Sequence, residues 1–184
     1  MKPRTSQSHP LNIAALTTPG GGRIGMTFCP GKTDPFAMSG PWARDLDTDL
    51  AAIQAWGASA LVTLVEQHEL VDLGVSALGK QVLAMGLDWY HLPIRDVSIP
   101  TPEFETQWRA SGQALRERLL GGQALVVHCR GGLGRTGLIA ARLLIELGES
   151  PPTALRRVRA VRPGAVETRE QEMYVLGCVR VGLS

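Results

Sequence analysis

A chain of 184 residues with 44% hydrophobic, 20% charged and 5% aromatic content has the make-up of one globular domain with a substantial core, which excludes a disordered or fibrous chain. The formal net charge is only +2, yet residues 1–108 carry seven Lys and Arg against eleven Asp and Glu, while residues 109–184 carry twelve Arg, no Lys and six Glu. A basic half built from arginine alone suits anionic, above all phosphorylated, ligands, although solvated helix faces would give the same count.

In chain order, the N-terminal MKPRTSQSHP is polar and has no apolar signal core, so residues 1–10 read as a loose tail to a single domain over 11–184 in a cytoplasmic protein. Leu11–Thr17 and Gly25–Cys29 read as strands around the turn 18–23, a hairpin. After a Gly- and Pro-rich loop over 30–41, Leu46, Leu50, Ile53 and Trp56 recur at helical spacing, with Asp45 or Asp47 as N-cap and Gly57 as stop. The apolar run from Ile53 to Val65 is polar-interrupted and shorter than the roughly 20 residues of a membrane span. Ala60–Val65 predicts a buried strand, 67–73 and 76–85 predict helices, and 88–94 predicts another strand. Thr101-Pro102 opens a helix to about Leu120, and Ala124–His128 reads as a central strand covered on both faces. Helices follow from Arg135 to Leu147, from Ser150-Pro151 to Arg162, and from Thr168 to about Val181. Strands alternating with helices predict an α/β fold, with a central, mostly parallel sheet flanked by helices on both faces.

Three widely spaced cysteines, Cys29, Cys129 and Cys178, make neither a disulfide framework nor, without a CxxC pair, a zinc site, and no metal or cofactor is expected. Cys129 stands apart because of its surroundings. The segment His128-Cys129-Arg130-Gly131-Gly132-Leu133-Gly134-Arg135-Thr136 joins a strand to a helix N-terminus. Backbone N–H groups of such a loop converge and the helix dipole adds positive charge, so together they cradle an anion and stabilise a thiolate. Gly131, Gly132 and Gly134 permit the tight backbone, and Arg135 can grip two phosphate oxygens. The implied chemistry is attack of sulfur on phosphorus.

This HC-x5-R-T pattern resembles the signature loop of the protein tyrosine and dual-specificity phosphatases, and with Pro93-Ile-Arg-Asp96 it is similar to the kinase-associated phosphatases among them. Two departures stand out: Arg130, where those relatives carry an aromatic residue, and Thr136, where they carry Ser. The resemblance implies a dual-specificity-phosphatase fold and a cysteinyl-phosphate intermediate. It implies Cys129 as nucleophile, Arg135 as phosphate clamp, Asp96 as general acid and base, and Thr136 as the hydroxyl that eases sulfur from phosphate. Backbone of residues 130–135 would bind the phosphate, and His128 would orient the loop. Asp88, Glu103 and Glu105 compete with Asp96 for the acid role. Gln171 matches a water-positioning glutamine, but Thr168-x-x-Gln171 is equally a capping box. Arg156, Arg157, Arg159 and Arg162 read as a solvated helix face.

With Arg130 the one cation inside the loop and Leu133 apolar, a singly phosphorylated protein side chain, phosphotyrosine or phosphoserine/threonine, fits better than a multiply charged inositol. The expected partner is a phosphorylated protein, with neither membrane nor nucleic acid. The alternatives are a phosphatase for phosphoinositides, nucleotides or RNA ends, and a phosphoprotein-binding module without turnover.

Overall fold

The structure is a computed structural model that describes residues 2–182; Met1, Leu183 and Ser184, which fall in the tail and domain spans expected above, lie outside the described residues. Its centre is a five-stranded sheet in the order β1-β2-β7-β5-β6. β1 (Ala14–Thr17) and β2 (Arg23–Thr27) form the expected antiparallel hairpin. β5 (Ala58–Thr63), β6 (Asp88–His91) and β7 (Ala124–His128) run parallel to β2. Between them stand β3 (Thr33–Asp34) and β4 (Trp42–Ala43), which pair with each other, then α1 (Leu46–Ala55), α2 (Gln67–Asp72), α3 (Leu78–Ala84) and α4 (Pro102–Leu120). After β7 come α5 (Gly134–Glu146), α6 (Pro151–Val161) and α7 (Arg169–Leu176). Helices cover both faces of the sheet, as the alternating pattern predicts.

All five residues of β7 and all thirteen of α5 are buried. β7 is apolar up to His128 because neighbouring strands and helices leave neither face wet. A helix buried all round is tolerable only if its polar side chains are paired. Arg135, Arg142 and Glu146 all form ion pairs. Each fully buried aliphatic side chain here contributes about 1.5–3 kcal/mol, so β7 and α5 anchor the loop between them firmly.

Several boundaries differ from expectation for local reasons. β6 stops at His91, since Pro93 has no N–H; the extended chain continues with Leu92 N–H on Thr63 O and Ile94 N–H on Leu64 O, both at 2.9 Å. α7 ends at Leu176 rather than near Val181, and Val181 N–H instead bonds Glu146 O at the end of α5 (3.2 Å). The strands β3 and β4, two residues each, lie inside the expected loop and are too short to show a period. The segment read as a loose tail is docked. Arg44 Nη1 donates to the carbonyls of Thr5 (3.4 Å) and His9 (2.7 Å), Ser6 Oγ accepts from Asp45 N–H, and Arg4 lies over the Trp42 ring. These bonds satisfy a buried guanidinium that Asp49, at 2.7 and 2.8 Å, does not satisfy alone.

Candidate active site

The carboxyl ends of β5, β6 and β7 open at one edge of the sheet, where α/β folds place their ligands. There the chain from β7 turns through residues 129–133 into α5. Gly132 has φ +72°, and a Cβ on it would lie 2.5 Å from the Thr27 carbonyl, so neither conformation nor space admits a side chain. Its N–H donates to Cys129 Sγ at 3.2 Å. Cys129 is thus near the mouth of a loop whose backbone donor already addresses the sulfur.

Arg135, at the first turn of α5, is 1% exposed. Nη1 donates to Glu69 Oε2 (2.7 Å) and Ile94 O (3.0 Å), and Nη2 donates to Glu69 Oε1 at 2.9 Å. Nη2 also lies 2.9 Å from Asp96 Oδ1. These partners fix the guanidinium plane and, among the described residues, leave Nε–H uncommitted. Burial opposes the charge on Arg135, but Glu69 and the nearby sulfur hold its pKa above the usual value. Burial likewise opposes ionisation of Glu69, yet the bonds from Arg135 and the Glu66 N–H keep its carboxyl below the ordinary range. Glu69 escaped the sequence reading: it falls in an expected helix, and only its pairing across 66 residues reveals a task.

Asp96 follows the β6 extension in a tight turn, its side chain 58% exposed. Val97 after it has φ +52°, a strained value for a β-branched residue, and Val97 N–H bonds Asp96 Oδ1 at 3.0 Å. Of the competing acids, Asp88 is paired with Arg118 at the start of β6, far along the sheet from the loop, and Glu105 is bound twice to Arg142 at 2.8 Å. Glu103 is an exposed first-turn residue of α4. Asp96 is the one of the four joined to Arg135.

His128 is fully buried. Burial pushes its pKa down to about 4, opposed by its bond to the Cys129 carbonyl and reinforced by Arg135. The neutral ring has one proton, and Nδ1 must donate it to Cys129 O (3.2 Å). Nε2 therefore accepts from Thr63 Oγ1 (2.8 Å), which in turn accepts from Trp89 Nε1 (2.8 Å). The chain from Trp89 to Cys129 fixes the tautomer and ties the loop's first peptide to β5 and β6. Thr136 Oγ1 is buried without a hydrogen-bond partner among the described residues, an orphan hydroxyl one residue beyond Arg135.

Other expectations fare differently. Gln171 is buried and forms the capping box: its N–H bonds Thr168 Oγ1 (3.0 Å), and Oε1 accepts from Thr168 N–H (3.3 Å) and Glu167 N–H (3.0 Å). Its Nε2 donates to Ser98 O (3.1 Å), so both polar ends of the side chain are engaged and the residue braces the Asp96 turn. The Arg130 side chain, expected as a cation of the phosphate pocket, is instead paired with Asp34 on β3 at 2.8 Å. Two-residue strands with an acid at their end give no sequence signal for this pair. Arg162 does not lie on a solvated face: Nε and Nη2 reach the carbonyls of Gly132 (3.0 Å) and Gly131 (3.2 Å). Burial lowers its pKa, with the neighbouring Cys129 acting in opposition. Lys32, 5% exposed, lies over the Phe28 and Trp42 rings with Nζ 3.4 Å from Arg130 O, and burial brings its pKa down to about 8.

The cysteines separate clearly. Burial pushes the Cys29 thiol far up and the Cys178 thiol up to about 11. Cys29 is wholly buried, and Cys178 packs beside Tyr174, whose carbonyl accepts from its thiol.

The fold and the cysteine loop together define the class of the cysteine-based phosphatases. A family model described as a polymorphic toxin system, DSP-PTPase phosphatase, matches residues 36–149, and the chain belongs to that family. It is 30% identical over 135 residues to cyclin-dependent kinase inhibitor 3 of Rattus norvegicus, an alignment covering 72% of this chain and 62% of that one. The chain thus spans less than two thirds of that relative's length. Among solved structures, kinase-associated phosphatase with its catalytic cysteine replaced by serine superposes with a TM-score of 0.79 at 25% identity, covering 91% of this chain and 93% of that one. The active form of Tk-PTP gives 0.61 at 31% identity, covering 89% and 93%.

Proposed function

We propose that the protein hydrolyses phosphomonoesters on protein side chains, phosphotyrosine or phosphoserine/threonine, through a cysteinyl-phosphate intermediate. The observation that carries this reading is one loop that presents a backbone N–H to Cys129 Sγ and, at its end, a buried guanidinium held in plane by Glu69.

A substrate phosphate would lie on the N–H groups of residues 130–135 and take two Arg135 donors, Nε–H and the second Nη2–H, whose nitrogen now lies 2.9 Å from Asp96 Oδ1. Cys129 Sγ attacks phosphorus, an S–P bond forms, and the bond to the substrate oxygen breaks as Asp96 gives that oxygen a proton. Asp96, then a carboxylate, takes a proton from water as the water oxygen attacks phosphorus. The S–P bond breaks, phosphate leaves, and the Thr136 hydroxyl donates to the departing thiolate. The donors of the loop match the transition-state charge better than the ground state, which is where the rate gain lies. A single phosphate suits the pocket because the Arg130 charge is already neutralised by Asp34.

Turnover of para-nitrophenyl phosphate and of phosphopeptides, without added metal and inhibited by vanadate, tests the reading. Cys129→Ser is expected to abolish turnover and keep phosphate binding; robust turnover in that variant would overturn the mechanism. A phosphopeptide panel run beside inositol phosphates and RNA 5′-phosphates decides the substrate class, and preference for either of the latter would overturn the protein-substrate assignment.

A further inference from the structure

The outer side of the phosphate loop carries an arrangement that the reaction above does not use. A peptide unit is planar, with N–H and C=O pointing in opposite directions. A loop that turns its N–H groups inward toward an anion must therefore turn the preceding carbonyls outward, where each needs a donor. The donors can be traced peptide by peptide. Cys129 O accepts from His128 Nδ1, and Leu133 O accepts from Gly137 N–H (2.9 Å) and Val166 N–H (3.3 Å). The three carbonyls between them are held by side-chain cations from two distant segments. Arg130 O takes Lys32 Nζ together with Cys29 N–H (3.3 Å), while Arg162 spans Gly131 O and Gly132 O with Nη2 and Nε.

We propose that Arg162, assisted by Lys32, is a positioning residue of the phosphate site, pinning the outward carbonyls of residues 130–132 so that the N–H groups of residues 131–133 stay aimed at phosphate. The proposal rests on the phosphatase reading. Glycine makes the pinning necessary: Gly131 has open space around its Cα and Gly132 has positive φ, so side-chain packing cannot hold these peptides. Arg162 suits the task because its rigid fork meets two adjacent carbonyls at once, which a single ammonium cannot do. It also sits at the C-cap of α6, where the chain turns back towards the loop and Val166 N–H reaches Leu133 O. One stretch of chain therefore holds three successive carbonyls of the loop. Lys32 comes from a separate segment and lies over the Phe28 and Trp42 rings, with Arg44, Asp34 and Arg130 as its charged surroundings.

The test compares Arg162→Met, Arg162→Lys, Lys32→Met and, as a control, Arg156→Met, an exposed residue of the same helix. The readouts are the competitive inhibition constant of inorganic phosphate, kcat and KM for an aryl phosphate, and the melting temperature. Losing two charge-assisted bonds that orient the pocket is expected to weaken phosphate binding and lower kcat/KM by about tenfold or more in Arg162→Met. Lys32→Met is expected to give a smaller loss, since Cys29 N–H still holds Arg130 O. Arg162→Lys should regain melting temperature but not phosphate affinity, and Arg156→Met should match the wild type in all readouts. Phosphate affinity in Arg162→Met within twofold of wild type would overturn the proposal. If that variant does not fold, full phosphate affinity in Arg162→Lys overturns it equally. A wild type that neither binds phosphate nor turns over removes the functional reading itself, and this proposal with it.

Discussion

Removing Glu69 isolates the buried ion pair that holds Arg135. Its carboxylate, 3% exposed, receives two bonds from Arg135, which is 1% exposed. Glu69→Ala leaves a guanidinium out of water without its main counter-charge, and breaking a buried pair in this way costs about 3–5 kcal/mol. Arg135 keeps Ile94 O at 3.0 Å and Asp96 Oδ1 at 2.9 Å, which places the loss near the lower end. With about 2–4 °C per kcal/mol for a chain of this size, a loss of about 3 kcal/mol corresponds to a drop of roughly 6–12 °C in Tm. Activity should fall as well, because the guanidinium plane is no longer fixed against the phosphate and Asp96 is drawn towards Arg135 as its sole remaining carboxylate. Glu69→Gln keeps the shape and one acceptor but turns an N–H towards a donor, so it should lie between wild type and Ala. Thermal melting by circular dichroism, beside kcat/KM for an aryl phosphate, measures both effects. A Tm within 2 °C of wild type together with unchanged kcat/KM in Glu69→Ala would refute the assignment of Glu69 as the brace of Arg135.

Two further outcomes follow from other parts of the site. The depressed pKa of His128 means that between about 6.5 and about 4 the unfolded chain binds a proton that the native chain does not. Stability therefore falls as pH falls through that window, by up to about 3 kcal/mol from this group. Urea unfolding of wild type and His128→Asn at pH 7 and pH 5 reads this directly; an equal pH dependence in both would remove His128 as the cause. Asp96→Asn should lower turnover by about 10²–10⁴-fold for a substrate with a poor leaving group and much less for para-nitrophenyl phosphate, whose leaving oxygen needs little proton assistance. If Glu103→Ala gave that pattern instead, the acid would be Glu103.

Much of the architecture was legible in the sequence because its signals are local. Helix periodicity with Thr101 and Thr168 at the N-caps marked the starts of α4 and α7, and of Asp45 and Asp47, both open as the N-cap of α1, Asp45 is the one whose side chain accepts the first-turn N–H. The apolar stretch before His128 marked β7, and the alternation of elements predicted the parallel sheet. Boundaries that depended on distant partners were not legible. The path of the chain after the Gly177 cap of α7, which folds back so that Val181 N–H bonds Glu146 O, and the docking of the tail on a buried Arg44 both rest on such partners.

The same division runs through the site. Cys129, the glycines and Arg135 lie within one short stretch, a strand, a tight turn and a helix N-terminus in series, so the sequence alone singles the stretch out as the candidate site on which the proposed function rests. What the loop rests on is decided only in three dimensions. Glu69 bears on Arg135 from 66 positions away, Lys32 reaches Arg130 O from 98, and Arg162 reaches Gly132 O from 30. No periodicity or spacing encodes such contacts, because they arise where packing brings a charged side chain to a backbone or side-chain group that burial has stripped of water. The same physics divides the arginine-rich half that composition singled out: folding pairs Arg135 with Glu69, Arg130 with Asp34, and brings Arg162 onto the carbonyls of Gly131 and Gly132.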